Sequence, residues 1–242
     1  MRRLAENSPR YTGFASDRDC LRLRLRNMKL LSVSVGLPRE VEWKGKLVRT
    51  SIFKSPVNGR IRVSKLNLEG DKQSDLSVHG GIDKAVYSYP SEHYAFWREQ
   101  LPSVHLQWGG FGENFTTEGL LEETTRIGDR FRVGSAEFIV TQPRMPCFKL
   151  GIRFNDPGII KRFLQSGRSG FYFAVLREGD VTAGDLIELL ARDKQSLTIA
   201  DIVNLYSADA SNQDVLRRAS ELTSLPIAWR DYFRKRLWKP DN

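Results

Sequence analysis

Many short strand-like runs, separated by turn signals, constrain this chain more than any other feature. Between Met28 and Leu190 the runs are apolar or alternating, and Gly-Asp dipeptides lie between several of them. The runs are KLLSVSVG, VRTSIF, GRIRVSKL, DRFRVG, AEFIVTQ, FYFAVL and DLIELL. Such a series favours a closed β-barrel with inserted loops, because closure leaves no exposed sheet edge. We therefore predict a mainly β fold with some helix, a barrel over residues 28–191.

Two helices are expected inside this β region. Ser91 is placed to cap the first, and apolar side chains recur at helical spacing from Tyr94 to Leu101, just before Pro102. The second is expected over residues 159–165. Both would be insertions between strands of the barrel.

The chain changes character near residue 192, and residues 192–242 predict three short helices. Two pairs at capping-box spacing and one proline mark their starts: Thr198 with Asp201, Ser211 with Asp214, and Pro226. About 45 residues are too few for an independent core. We therefore expect this unit to pack on the barrel or on a second subunit, which would make a homodimer.

The net charge of +9 is unevenly distributed along the chain. Residues 1–27 carry seven arginines against three acids, a net +4, which leaves +5 on the remaining 215 residues. This mild balance is typical of enzymes with anionic ligands and argues against a fold-wide nucleic-acid surface. We interpret residues 1–27 as a basic extension, either an overlong start or a flexible arm, or alternatively an added edge strand.

No apolar run approaches the roughly 20 residues that cross a bilayer. The basic N-terminus lacks the apolar core and cleavage site of a secretory signal. Two cysteines, Cys20 and Cys147, do not make a disulfide framework. A reducing cytoplasm is the simplest location for such a chain.

The stretch from Gly70 to Tyr94 is dense in polar side chains. Asp71, Asp75 and His79 are four residues apart, so on a helix they would form one stripe able to bind a divalent cation. The glycines that flank this stretch argue against a helix there. A hydrolase using these three residues is accordingly our last hypothesis.

A second feature of the same stretch is its glycine pair. Paired glycines let backbone N–H groups approach an anion closely, and a nearby lysine adds positive charge. The residues in question are His79, Gly80, Gly81, Asp83 and Lys84. The pattern is compatible with phosphate binding, although a Gly-Gly turn is weak evidence by itself.

The run GGFGENFTTEGL, residues 109–120, resembles a dinucleotide-binding loop only superficially. Phe115 stands where the third glycine of that fingerprint belongs, and no suitable helix follows. We reject that interpretation. Glu113 and Asn114 are then polar residues of a tight loop, for which a structural role is the simpler expectation.

The segment TQPRMPCFKL places Cys147 in a rigid and basic setting. Pro143 and Pro146 stiffen the backbone, and Arg144 and Lys149 favour a thiolate. A lone cysteine is more often a small buried hydrophobe. A protease-type nucleophile needs a base that the spacing does not specify, and a structural zinc site lacks a partner cysteine. A single soft ligand that completes the shell of an organometallic cofactor remains open.

Several of these segments, taken in order, resemble the MOSC domain family and, more narrowly, its YiiM-like group with a C-terminal three-helix unit. The segments are EGD at 69–71, D…HGGIDKAVYSYPSEHYAFW at 75–97, GFGENFTTEGL at 110–120, IGDRFRVG at 127–134 and QPRMPCFKL at 142–150. The resemblance extends over about Lys29 to Lys239. It implies a β-barrel that binds the molybdenum cofactor, a molybdopterin that carries molybdenum and a phosphate.

The resemblance also implies roles for individual residues. Cys147 matches the cysteine expected to bind molybdenum and so to be catalytic. The positions expected to line the cofactor or substrate pocket are Lys54, His79, Gly80, Gly81, Asp83, Lys84, Asn114 and Arg144. Ala174 departs from the pattern, because many relatives carry a basic residue there.

The implied activity is reduction of N-hydroxylated compounds such as 6-N-hydroxylaminopurine and hydroxylamines. Electrons would come from a separate flavoprotein reductase, because the chain has no flavin, haem or iron–sulfur motif. One rival function is a non-redox sulfur carrier with a persulfide on Cys147, supplied by a pyridoxal-phosphate desulfurase. The other is a binding module whose basic C-terminal helices contact nucleic acid.

Overall fold

A computed structural model describes residues 28–74, 80–192, 195–207 and 212–237. In these ranges the strands are β1 Lys29–Val35, β2 Arg39–Trp43, β3 Lys46–Thr50, β4 Ser55–Val57, β5 Ile61–Val63, β6 Val86–Pro90, β7 Phe115–Glu118, β8 Arg130–Val133, β9 Ala136–Pro143, β10 Phe171–Arg177, β11 Gly179–Val181 and β12 Ile187–Ala191. The helices are α1 His93–Gln100, α2 Phe148–Phe154, α3 Ile159–Gln165, α4 Ile199–Ser207, α5 Gln213–Glu221 and α6 Ile227–Leu237. A 3₁₀ turn spans Ile82–Lys84.

Eight strands form one mixed sheet in the order β12-β8-β9-β10-β6-β7-β1-β4. The neighbours pair antiparallel except β6 and β7, which are parallel. The strands β2 and β3 form a separate hairpin, and β11 pairs with β5. The predicted class, mainly β with helices, is confirmed.

The predicted closed barrel is wrong as a description of the strand ladder. Within the described residues, the edge strands β12 and β4 do not pair with each other. Closure is limited to a few backbone bonds between the start of β1 and residues 184–187. The N–H of Leu30 donates to the carbonyl of Asp185 at 2.9 Å, and that of Ile187 donates to Met28 at 2.9 Å. The sheet therefore curls far enough to touch itself, but β4 lies beyond the contact and, in the part of the chain that is described, forms an edge of the sheet.

The two faces of the sheet bury two different groups of side chains. On β10, Phe171 and Phe173 belong to an aliphatic and phenylalanine core. On the opposite face of β10, Tyr172 packs against an aromatic cluster that includes Tyr89 and Trp97, under α1 and α3. This alternation follows from the two-residue period of a strand. The two faces of the sheet are therefore covered by different groups of side chains.

The seven strand-like runs recognised in the sequence all overlap strands of the structure. The helix expected over residues 159–165 is α3 with the same bounds. The cap predicted for α1 is wrong, because the N-cap is Glu92 and none of the described side chains caps the helix. Ser91 contributes its carbonyl instead, which accepts the N–H of Tyr94 at 3.0 Å.

The C-terminal residues form the three expected helices, α4 to α6, which we call the three-helix unit. Ile202, Leu216 and Phe233 of this unit share one hydrophobic core with Phe131 and Phe138 of the sheet. The unit thus packs on the sheet of its own chain. None of the helices in the described ranges has the length and apolar character needed to cross a membrane.

Two of the predicted helix starts rest on capping residues. Thr198 and Asp201 form the predicted capping box. Ser211 lies outside the described residues, and Asn212 caps α5 by accepting the N–H of Val215 at 3.1 Å. The interpretation of residues 1–27 also falls outside the description.

Candidate functional site

A cavity of about 110 Å³ lies beside Cys147. Five cationic side chains line it: Lys54, Lys72, Lys84, Arg144 and Lys149. Asp71 is the only acid among the described residues of the lining. These residues come from the segment between β3 and β4, the segment after β5, the 3₁₀ turn, the end of β9 and α2, so the fold assembles the site from distant parts of the sequence. A cavity with this excess of positive charge is suited to an anionic ligand.

Lys54 and Asp71 form an ion pair in the wall of the cavity. The two charged atoms are 2.5 Å apart, and the side chains are 9% and 3% exposed. Asp71 also accepts the N–H of Gly36 at 2.9 Å and the amide of Asn114 at 2.8 Å. Its carboxylate is therefore committed to protein donors. Asp71 is not in a helix, and Asp75 and His79, the other members of the hypothetical metal stripe, lie outside the described residues.

Asn114 lines the cavity, but its side chain is committed to the protein. Its amide nitrogen donates to the carbonyl of Ser34 at 3.2 Å as well as to Asp71, and its oxygen accepts the N–H of Tyr87 at 3.1 Å. An Asn side chain offers two donors and one carbonyl oxygen. Asn114 thus fixes the position of Asp71 and, through it, of Lys54.

Arg144 is buried, at 6% exposure. Its backbone N–H donates to the carbonyl of Gly170 at 3.2 Å. The guanidinium carbon lies 5.5 Å from the ring centre of Tyr87 and 5.0 Å from that of Phe163, within the range of cation–π contact. Among the described residues, its buried Nη1 atom has no hydrogen-bond partner. A buried guanidinium donor without an acceptor is costly, so it indicates a ligand atom at this place.

Cys147 is a free, half-buried cysteine that lines the same cavity. It is extended, with φ −128° and ψ 176°, and α2 begins at the next residue. Its carbonyl accepts the N–H of Leu150 at 2.9 Å. Lys149, whose Nζ donates to the hydroxyl of Ser74 at 3.4 Å, follows it on α2 and reaches the same lining.

The segment after the glycine pair forms the 3₁₀ turn. The N–H of Gly81 donates to the side-chain oxygen of Gln73 at 3.1 Å, and the side-chain nitrogen of Gln73 donates to the carbonyl of Lys84 at 3.0 Å. Lys84 lines the cavity, whereas Gly80, Gly81 and Asp83 do not appear in its described lining. Asp83 contributes through its carbonyl, which accepts the hydroxyl of Thr141 at 2.7 Å.

Burial changes the pKa of two lysines in the lining. Burial lowers the pKa of Lys54, and the adjacent carboxylate of Asp71 opposes this shift. Burial also lowers the pKa of Lys84, with a smaller opposite effect of Asp83. Both ammonium groups are thus poorly solvated. A bound anion would stabilise their charged forms.

The sequence did not single out Tyr172, Gln73 or Lys72 for this site. Tyr172, the second residue of β10, lines the cavity. Burial raises the pKa of its phenol, and the positive charge of Arg144 opposes this shift. No local motif distinguishes a strand tyrosine that faces a cavity from one that faces the core. Ala174 follows on the same face of β10, is 8% exposed, and does not belong to the described lining.

The other candidate sites, a metal site and a basic surface for nucleic acid, have less support from the structure. In the described ranges, no three side chains of His, Cys, Asp or Glu converge as a metal site. On α6, Arg234 pairs with Asp231 at 2.5 Å, and Arg236 donates to the carbonyl of Leu205 at 2.6 Å. These basic side chains are therefore partly engaged within their own chain.

Comparison with known proteins identifies the family. The MOSC domain model matches residues 75–188, and the model of the YiiM-like 3-alpha helix domain matches residues 197–239. The protein YflK of Bacillus subtilis (strain 168) is 41% identical over 207 residues, which are 86% of this chain and 93% of YflK. The chain belongs to the MOSC family, in its YiiM-like group.

Two further relatives extend this result. The crystal structure of YiiM from Geobacillus stearothermophilus is 35% identical, with a TM-score of 0.73, and the match covers 87% of this chain and 99% of that one. A protein of Gibberella moniliformis (strain M3125 / FGSC 7600) named "Reductase" is 32% identical over 201 residues, which are 82% of this chain and 35% of that longer protein. Membership of the MOSC family supports a function related to the molybdenum cofactor.

The cavity has features that fit such a cofactor. A phosphate-bearing pterin is anionic, and the lining has five cationic side chains and one acid. The Nη1 atom of Arg144 and the hydroxyl of Ser51 are buried donors without a partner among the described residues. Cys147 adds the soft sulfur ligand that molybdenum accepts. The volume is of the size of a phosphate-like group rather than of a whole pterin.

Proposed function

We propose that this chain is a molybdenum-cofactor-dependent oxidoreductase that reduces N-hydroxylated compounds, such as 6-N-hydroxylaminopurine and hydroxylamines. The observation that carries the proposal is the joint placement of the Cys147 thiol and five cationic side chains on one cavity. One soft ligand and a strongly cationic wall suit a metal that arrives on an anionic organic carrier.

We assign the residues as follows. Cys147 would bind molybdenum through its sulfur, and Lys54, Lys84 and Arg144 would hold the phosphate of the molybdopterin through charge-assisted hydrogen bonds. The cofactor would supply the two-electron chemistry. Asn114 would act by fixing the pair of Lys54 and Asp71 rather than by touching the ligand.

The remaining proposed roles belong to residues of the loop before β6. His79, Gly80 and Gly81 would approach the cofactor or the substrate, and Asp83 would anchor the loop through its carbonyl. The order of these residues in the motif supports the assignment.

The overall reaction requires an external electron donor. An N-hydroxylated amine takes up two electrons and two protons and gives the amine and water. We propose that a separate flavoprotein reductase supplies the electrons. The match to the Gibberella protein named "Reductase" covers 35% of its length, so that relative contains further sequence in which a donor domain would fit. The cytoplasm, where thiols stay reduced, suits the free Cys147.

The experiment is to measure molybdenum and pterin in protein purified from a host that makes the cofactor. Cys147→Ala is the test variant, and Cys20→Ala, which removes the other cysteine, is the matched control. We expect near-stoichiometric molybdenum in the parent and in Cys20→Ala, and its loss in Cys147→Ala. Steady reduction of 6-N-hydroxylaminopurine by a molybdenum-free Cys147→Ala protein would overturn the proposal.

The sulfur-carrier function uses the same cysteine, and the half-buried free thiol of Cys147 supports it as the second candidate. Mass spectrometry of the parent protein distinguishes the two. A persulfide on Cys147, formed with a pyridoxal-phosphate desulfurase and without bound pterin, would favour sulfur transfer over reduction.

A further inference from the structure

Trp229 of α6 connects the three-helix unit to the strand that leads into the cavity. Its indole Nε1–H donates to the side-chain oxygen of Gln142 at 2.7 Å. Gln142 is 4% exposed, lies on β9, and precedes Arg144 by two residues. A residue far along the chain thus bonds directly to the motif that contains Arg144 and Cys147.

This bond fixes the orientation of the Gln142 amide. An indole N–H is a donor only, so the side-chain oxygen of Gln142 must face Trp229 and its nitrogen must face the other way. On that side the nitrogen meets the carbonyl of Asp83 at 3.3 Å. The hydroxyl of Thr141 donates to the same carbonyl at 2.7 Å. Two neighbouring side chains of β9 therefore hold the 3₁₀ turn at Asp83.

The position of this 3₁₀ turn determines where Lys84 lies. Asp83 is bonded to Lys84 in the chain, and the side chain of Lys84 lines the cavity. Gln73 holds the turn from its other side, through the carbonyl of Lys84. The contacts thus run from Trp229 through Gln142 and the carbonyl of Asp83 to a cationic side chain of the site.

We infer that Trp229 is a positioning residue for the anion site, acting through Gln142 and Asp83 on Lys84. The three-helix unit is on this account part of the ligand-binding apparatus. The inference rests on the proposed function to the extent that the cavity must bind an anion. It adds a role for a unit that contributes no side chain to the described lining.

The test measures binding of inorganic phosphate to the metal-free full-length protein by isothermal titration calorimetry. Trp229→Phe keeps a ring for packing against Phe233 and removes the donor to Gln142. We expect a phosphate affinity about fivefold weaker, the effect of one neutral hydrogen bond. Lys84→Ala should weaken phosphate binding as well, and in the Lys84→Ala background Trp229→Phe should cause no further loss.

Tyr232→Phe, which removes a hydroxyl from the same helix, is the matched control and should bind phosphate like the parent. Gln142→Leu interrupts the same link from β9 and covers the case that Trp229→Phe does not fold. A lower melting temperature for Trp229→Phe with unchanged phosphate affinity would make Trp229 purely structural and overturn the inference. An equal loss in both backgrounds would overturn it too, because Trp229 would then act elsewhere.

Failure of the anion site, on which the proposed function depends, gives a different result. Phosphate binding that is absent from the parent, or insensitive to Lys84→Ala, would refute the anion site itself. The inference would fall with it.

Discussion

Glu113 shows how a single buried residue sets the geometry of the loop beside the site. The side chain is fully buried and accepts four hydrogen bonds. The donors are the hydroxyl of Tyr94, the N–H of Gly109 at 2.8 Å, the N–H of Phe111 at 3.0 Å and the hydroxyl of Thr116 at 3.0 Å. A carboxylate matches this set because it has acceptor positions on both oxygens.

Glu113→Gln should therefore destabilise the protein. Glutamine replaces one oxygen by an NH₂ group, so that in either orientation a buried donor faces another donor. The expected loss is about 1–3 kcal/mol, the cost of one unsatisfied buried group. Urea unfolding of the two proteins measures it. Glu118→Gln, at an exposed carboxylate of β7, controls for the change of charge, and an equal loss in both variants would contradict the argument.

The same residue predicts a pH dependence of stability. Burial raises the folded-state pKa of Glu113 above its ordinary 4.5, and the hydrogen bond from Tyr94 opposes the shift without cancelling it. The stability contribution of Glu113 is then complete below pH 4.5 and is lost as the pH rises through the folded-state pKa. The stability difference between the parent and Glu113→Gln should shrink over that window. A difference that grows with pH would show the opposite sign of shift.

At the residue scale, the sequence predicted the loop that contains Glu113, but it did not predict which groups donate hydrogen bonds to Glu113. Glu113 and Asn114 were expected to be structural residues of a tight loop. Gly112, directly before them, has φ +83°, with Ile52 close to where a Cβ would lie. The donors to Glu113 come partly from α1, through Tyr94. No spacing rule connects a helix residue to a loop almost 20 positions later, so this network needed the fold.

At the scale of elements, α4 is the helix whose start the sequence specified best. The hydroxyl of Thr198 accepts the N–H of Asp201 at 3.0 Å, and the carboxylate of Asp201 accepts the N–H of Thr198 at 2.9 Å. The two bonds satisfy N–H groups that have no partner inside the helix. The box is local, and this is why four residues of sequence suffice to predict it.

Thr198→Ala should cost about 1 kcal/mol of unfolding free energy, because it removes one half of this box. Thr198→Ser retains the hydroxyl and should cost much less. Chemical denaturation of the three proteins gives the comparison. Equal losses for Ala and Ser would mean that the methyl group of Thr198, rather than its hydroxyl, is the source of the stability.

The sequence did not predict the strand β6, and it predicted the helix α1 with the wrong cap. β6 is buried at all five positions, so its sequence shows no alternation of polar and apolar residues. Among the described residues no side chain caps α1. The assignment of Ser91 failed because a favourable residue type lies near the start of the helix without making the capping bond. Alternation of buried and partly exposed residues made a strand such as β9 predictable, whereas β6, which is covered on both faces, lacks that signal.

At the scale of the whole molecule, the candidate site could be predicted only in part. Lys54, Lys84 and Arg144 entered through the family resemblance, and the structure brings them to one cavity. Tyr172 reaches the same cavity because the sheet order places β10 between β6 and β9, and Lys72 reaches it from the segment that follows β5. The sequence also could not predict whether the sheet closes into a barrel. The strand patterns indicate which side chains face inward, but they do not determine whether the two edge strands pair.

The shared core predicts that the three-helix unit and the sheet unfold together. Phe233 and Leu216 pack in the same cluster as Phe131 of β8, so neither part retains its core without the other. Scanning calorimetry should give one transition in which the calorimetric and van't Hoff enthalpies agree. Phe233→Ala and Phe131→Ala should each lower the midpoint of that same transition, with losses of about 3–5 kcal/mol. Two transitions, of which Phe233→Ala moves only one, would show that the three-helix unit is an independent folding domain.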